Sequence, residues 1–271
     1  MKPSVICSLV LLAGLFFNSA CAQTPAPAKP PLIIMPLGDS ITQGLLAGGY
    51  RSPLCASLTK AGYSFRFVGS HAINSTPLLV ESGNDHHEGH GGYSLGHVLS
   101  NIDGGTSNGG HWIDGLPGTR EAVYPDIILL MIGTNDLGSH KREVAPTLAD
   151  YDKLLDKLSA MRPKAVIIAA TLIPYTGSVE KYPVREQHQL EFNAALPELI
   201  KKHQAAGQRV VLKDMRPTVL PEHISKDGVH PNQAGYDAIA AAWFEAIKAL
   251  PALQKQSQDA QAQRGTGPGL G

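Results

Sequence analysis

Three residues in this chain have the types and settings that acyl transfer needs. Ser40 stands in Leu32-Ile33-Ile34-Met35-Pro36-Leu37-Gly38-Asp39-Ser40-Ile41-Thr42, where an apolar run stops at Gly38 and polar residues follow at once. A serine hydroxyl is a poor nucleophile at neutral pH. It needs a base within hydrogen-bond reach and an acid that orients that base. Asp227-Gly228-Val229-His230-Pro231 holds both types three residues apart. One turn-like segment can present them together, with Pro231 setting the start of a following helix. Two further stretches hold hydrogen-bond donors, and a side-chain amide is one kind that can meet a developing oxyanion. Asn135, in Gly133-Thr134-Asn135-Asp136, can aim its amide at that charge. Gly92, in the polar loop Asp85 to Tyr93, can expose a backbone N–H at close range. Three of these stretches also have a plainer reading: a Ser/Asp helix cap at residues 39–40, an Asx turn at Asn135, and an Asp-Gly turn beside a loop histidine.

The elements that must position these residues alternate along the chain. Apolar runs bounded by turn residues predict strands at 32–38, 65–68, 126–132, 165–170 and 209–213. Helical stretches are expected at 54–60, 93–102, 185–206, where Pro197 bends the helix, and 232–250. Leu148, Tyr151, Leu155 and Leu158 recur at helical spacing in between. Continuous Val/Ile/Leu strands separated by helices indicate a mainly parallel sheet covered on both faces. The expected architecture is a three-layer α/β/α sandwich with five strands in the order 2-1-3-4-5. Each chemically suggestive stretch then falls on one side of the sheet, where open α/β folds place their sites.

The chain has 271 residues, 43% hydrophobic and 17% charged, which suits a globular domain with ample core. Lysine plus arginine equals aspartate plus glutamate at 23 each, so no basic field favours nucleic acid or anionic lipid. Lys2, the apolar stretch Val5 to Phe17 and Ala20-Cys21-Ala22 follow the order of a secretory signal peptide over 1–22. Ser19-Ala20-Cys21 also has the look of a lipoprotein cleavage site, although Asn18 stands where an aliphatic residue is usual. The apolar stretch is shorter than the ~18 residues a membrane span needs. Residues 23–31 read as a proline-rich linker, 32–250 as the folded domain, and 251–271 as a disordered tail. Cys7 and Cys21 lie in the leader, which leaves Cys55 as the only cysteine of the body and no internal disulfide.

Taken together, the four polar stretches resemble the SGNH (GDSL-type) hydrolase family from Ile33 to about Trp243. Within it, Ile34 to Ser40 and His87-Glu88-Gly89-His90-Gly91-Gly92-Tyr93 look most like the bacterial acetyl xylan esterases of carbohydrate esterase family 3. The resemblance implies Ser40 as nucleophile, His230 as base and Asp227 as its orienting acid. It also implies an oxyanion hole from the Ser40 N–H, the Gly92 N–H and the Asn135 side chain, with no metal and no organic cofactor. Two departures bear on the substrate. Gly91 stands where the family-3 pattern often has a serine, and the glycine-rich stretch Gly104 to Gly118 looks like an insertion.

Some matches compete with this reading. Gly92-Tyr93-Ser94-Leu95-Gly96 fits G-x-S-x-G, but the elbow that motif describes requires a preceding strand, and no apolar run precedes it. His86, His87, Glu88 and His90 suggest a metal, yet the spacing is one residue short of H-E-x-x-H. They are expected to shape the loop by hydrogen bonding. Tyr93, Trp112 and Tyr175 suit stacking on sugar rings or packing within loops. The expected function is an exported, secreted or periplasmic esterase that removes acetyl or other short acyl groups from a polysaccharide or oligosaccharide such as acetylated xylan. The alternatives are a lipase, lysophospholipase, arylesterase or thioesterase using the same residues, and a non-catalytic glycan-binding protein.

Overall fold

The computed structural model describes residues 30–251, apart from 46, 106–108, 179 and 181–183. The expected signal peptide, all but the last two residues of the expected linker, and the expected tail beyond 251 lie outside the described residues.

Six parallel strands form one sheet: β1 (Leu32–Gly38), β2 (Phe65–Phe67), β3 (Glu88–Gly89), β4 (Ile127–Met131), β5 (Val166–Ala170) and β6 (Val210–Lys213). The main path runs β2-β1-β4-β5-β6. That is the expected order once the two-residue strand β3 is counted. β3 was expected as loop, because Glu88 and Gly89 carry no apolar run. It continues the edge that β2 leaves: β2 pairs with Leu32 to Ile34 of β1, and β3 pairs with Leu37 and Gly38.

The unbroken apolar strands are explained by two separate cores. Along β4, Ile127, Leu129 and Met131 enter one core, whereas Ile128 and Leu130 enter the other. Side chains alternate across a strand, so a sheet buried on both faces must be apolar at every position. The first core is closed by α2 (Arg51–Lys60) and α8 (Gln233–Lys248), through Leu54, Leu58, Tyr236, Ile239 and Trp243. The second is closed by α4 (Leu95–Asn101), α6 (Val144–Met161) and α7 (Arg185–Ala205), through Leu95, Val98, Tyr151, Leu155, Leu158, Phe192 and Leu196. Pro197 lies inside α7, which continues past it. Short helices α1 (Ser40–Gln43), α3 (Pro77–Glu81) and α5 (Thr134–Leu137) complete the fold. Cys55 is a buried free thiol.

Register decides where the polar stretches leave the sheet. Gly38 is aligned with Gly89 of β3 on one side and with Met131 of β4 on the other. The loops bearing Ser40, Gly92 and Asn135 therefore start from the same level of the C-terminal edge.

Candidate active site

Ser40 is the first residue of α1. Asp39 caps this helix, its Oδ1 accepting from the Ile41 N–H at 2.9 Å. The cap is Asp39, which leaves the Ser40 hydroxyl out of the capping. Gly38 is required for close approach: a Cβ there would lie 2.3 Å from the Met131 carbonyl oxygen and 2.5 Å from Thr42 Oγ1. The chain can then turn from β1 straight into α1. Asp39 is 1% exposed, and burial pushes its carboxyl up to about 6.

Ser40 Oγ lies 2.8 Å from His230 Nε2 across 190 residues of sequence. His230 Nδ1 is 2.7 Å from Asp227 Oδ2. With Nδ1–H donating to the carboxylate, Nε2 is left to accept from the serine hydroxyl. The acid–base pair sits in a closed turn. Asp227 Oδ1 accepts from the Val229 and His230 N–H groups at 2.9 and 3.0 Å, and Gly228 adopts a positive φ of 74°. Burial pushes the Asp227 carboxyl up, but the backbone donors and His230 outweigh it and hold it below its ordinary range. The turn is tied at both ends. Ser225 N donates to His230 O at 2.7 Å, and Thr176 N, in the loop after β5, donates to Gly228 O at 3.0 Å. Pro231 is outside the helix it was expected to start. It bridges to Ile224, and Asn232 caps α8.

Asn135 is joined to the loop that bears Gly92. Asn135 Nδ2 donates to the Tyr93 carbonyl at 2.9 Å. A primary amide carries two N–H bonds, so one remains. Gly92 is exposed, with φ of 77° and nothing within 4 Å of where a Cβ would lie. The Asp39 cap engages Ile41 rather than Ser40, leaving the Ser40 N–H among the orphan donors of a first turn.

Several supporting residues carried no sequence signal strong enough to find them. Asp136 is fully buried, accepts from Leu95 N at 3.0 Å and pairs with Arg142 at 3.0 Å. It clips the start of α4, and with it the Gly92 loop, to α5. The Asn-Asp dipeptide was the available hint. Arg51 is fully buried, and its guanidinium donates to the carbonyls of Thr42, Gln43, Ile73, Asn74 and Asp85. Burial lowers its pKa to about 10. It holds the end of α1 against two loops.

The histidine-rich stretch makes hydrogen bonds within the fold. His87 Nε2 lies 2.9 Å from Ile73 O, and its Nδ1 accepts from Gly89 N at 3.0 Å. Glu88 accepts from the Ser70 N–H and from Ser70 Oγ, and lies 2.8 Å from His90 Nε2. Among the described residues, no group of three His, Cys, Asp or Glu side chains is arranged to hold a metal ion. Trp112 is fully buried and stacks on His90 with centroids 4.0 Å apart. Tyr93 stacks on the same ring, and Tyr175 lies under Arg185. The stretch from Gly104 to Gly118 is anchored through Trp112 and through Ile113, whose carbonyl accepts from Arg162. Ser94 caps α4, its Oγ hydrogen-bonded to His97 Nδ1 at 3.0 Å.

A parallel sheet in this order, with helices on both faces and these loops at one edge, is the SGNH hydrolase fold. A model of the GDSL-like lipase/acylhydrolase family matches residues 37–238, and the chain belongs to that family. A multidomain esterase of Ruminococcus flavefaciens is 32% identical over 261 residues, an alignment covering 88% of this chain and 32% of the relative. The chain thus spans about a third of that protein's length. Among solved structures, a family 3 carbohydrate esterase of Clostridium thermocellum matches with a TM-score of 0.63 and 27% identity, over 83% of this chain and 99% of that one. One from Talaromyces cellulolyticus matches with a TM-score of 0.62 and 26% identity, over 80% and 96%.

Proposed function

We propose that this chain is a serine esterase that removes O-acetyl or other short acyl groups from carbohydrate such as acetylated xylan, through an acyl-Ser40 intermediate. The observation that carries the chemistry is the relay from Ser40 Oγ to His230 Nε2 at 2.8 Å and on to Asp227 at 2.7 Å. The likeness to family 3 carbohydrate esterases supports the substrate class.

In the proposed mechanism, Ser40 Oγ attacks the ester carbonyl carbon while His230 Nε2 takes its proton. Asp227 stabilises the resulting imidazolium. The oxyanion is met by the Ser40 and Gly92 N–H groups and the Asn135 amide. The C–O bond to the sugar then breaks, and His230 protonates the departing alcohol. Water, deprotonated by the same histidine, attacks the acyl-serine and releases the acid. No step calls for a metal or organic cofactor.

The leader over 1–22 supports export to the periplasm or medium, with Cys21 as an alternative lipidation point. Among the described residues no helix is long and apolar enough to cross a membrane. The test is acetate release from acetylated xylan by the chain beside Ser40→Ala. Loss of release in the variant supports the reading. Cleavage of p-nitrophenyl acetate with xylan left intact overturns the substrate and keeps the mechanism. Stronger cleavage of longer acyl chains favours the lipase or thioesterase alternative, and a folded chain inactive on every ester favours glycan binding.

A further inference from the structure

We propose that the Gln43 side chain recognises a hydroxyl group on the alcohol half of the ester, beside the carbon that carries the acyl group. Gln43 would then select polyol esters over simple alkyl esters. This rests on acyl transfer at Ser40 and not on the identity of the sugar.

Gln43 is the last residue of α1 and follows Ser40 by three, so the two lie on one face of the same turn. A Cβ built on Gly91 would lie 2.6 Å from Gln43 Oε1 and 4.0 Å from Ser40 Cβ. The end of the glutamine therefore occupies the place of a side chain at position 91, between the loop bearing Gly92 and the nucleophile's own helix. Gly91 is exposed, so this place is reachable from solvent.

The main chain of Gln43 is held on both sides. Its N–H donates to Asp39 O at 2.9 Å, and its carbonyl accepts from Arg51 Nη2 at 3.0 Å. Among the described residues its side-chain amide has no hydrogen-bond partner. The neighbouring polar residue does not offer the same resource: Thr42 is fully buried, and its Oγ1 accepts from Tyr50 at 3.3 Å. A half-buried amide with both donor and acceptor unspent, on a fixed main chain beside the nucleophile, suits a hydroxyl, which gives and takes a hydrogen bond. Such a contact acts on the alcohol half, which distinguishes it from the oxyanion donors.

The experiment compares glycerol monoacetate, which has a hydroxyl beside its ester, with ethyl acetate, which has none. For the unaltered chain the ratio of kcat/KM values favours the hydroxy ester. Gln43→Ala should lower that ratio about tenfold, the scale of one hydrogen bond, mainly through KM. Gly91→Ser reaches the same end by another route. Residue 91 lies outside the left-handed region, so serine fits the backbone, and its Cβ displaces only the end of Gln43. The ratio should fall there too. An unchanged ratio in Gln43→Ala overturns the proposal, as does a parallel loss on both esters, which would make Gln43 a support for α1. If the chain leaves acetylated xylan intact yet shows the Gln43-dependent ratio, the xylan reading falls and the role of Gln43 stands. If it cleaves no ester, both fall.

Discussion

Two of the carboxylate–imidazole pairs in this molecule have nearly the same length and opposite character. Asp227 lies 2.7 Å from His230, with side chains 51% and 23% exposed. Glu88 lies 2.8 Å from His90, with both side chains almost wholly buried. In the first pair, backbone donors keep the acid below its ordinary range, and the far imidazole nitrogen reaches a hydroxyl. In the second, burial pushes the acid up to about 8 and the histidine down to about 3. Its ring packs against both Trp112 and Tyr93, which also touch each other. A pair of this kind can move protons at neutral pH only where the charged forms remain solvated or paired. The two pairs differ in depth in the fold far more than in distance.

The largest expected effect comes from breaking the exposed pair. His230→Ala should lower kcat by about 10⁵-fold or more, as for other serine hydrolases stripped of their base, with an unchanged melting temperature. A drop of less than tenfold would remove His230 from the chemistry. Asn135→Ala comes next, at about 10²- to 10³-fold in kcat if its free N–H meets the oxyanion. An equal effect on ester binding and on turnover would point instead to its bond with Tyr93.

The buried pair should answer in stability. Glu88→Ala leaves Ser70 N–H, Ser70 Oγ and His90 without their acceptor and should cost about 3 kcal/mol in chemical denaturation. The same region should set the acid limit of the fold. Burial holds His71, His87 and His90 neutral, at about 4, 2 and 3 against an ordinary 6.5. Their contribution is present above 6.5 and is lost as pH falls, because the unfolded chain takes up protons first. Glu88 and Asp39 are raised and act in the opposite direction, losing their contribution as pH rises through about 8 and about 6. Three groups outweigh two, so the melting temperature should decline from pH 6.5 to 4.5, and a flat profile would count against the buried cluster. The smallest effect sharpens a motif match. Ser94→Ala should cost about 1 kcal/mol as a lost helix cap and leave ester hydrolysis within about twofold.

Much of this site was legible in the chain because its signals are local. Asp227 and His230 are three residues apart in one turn, and Ser40 follows its strand by two residues. Continuous apolar runs at 126–132 and 165–170 needed no partner to be read as doubly buried strands. The supports were less legible for the complementary reason. Glu88 and Gly89 form a strand only because β1 lies alongside. Arg51 reads as a surface arginine until five carbonyls from three segments close around it. Asp136 is an ordinary turn residue until Leu95, 41 positions away, needs an acceptor. The resemblance also supplied a role for Gly92 that spacing by itself left open.

By itself, then, the sequence determined the sheet, the order of its main strands and the residue types available for acyl transfer, since periodicity and short-range spacing are properties of the chain alone. Tertiary structure decided which serine meets which histidine and which acid–imidazole pair stays solvated. Those outcomes depend on contacts closed across many residues and on the depth at which each pair comes to rest, and neither is encoded in any one stretch.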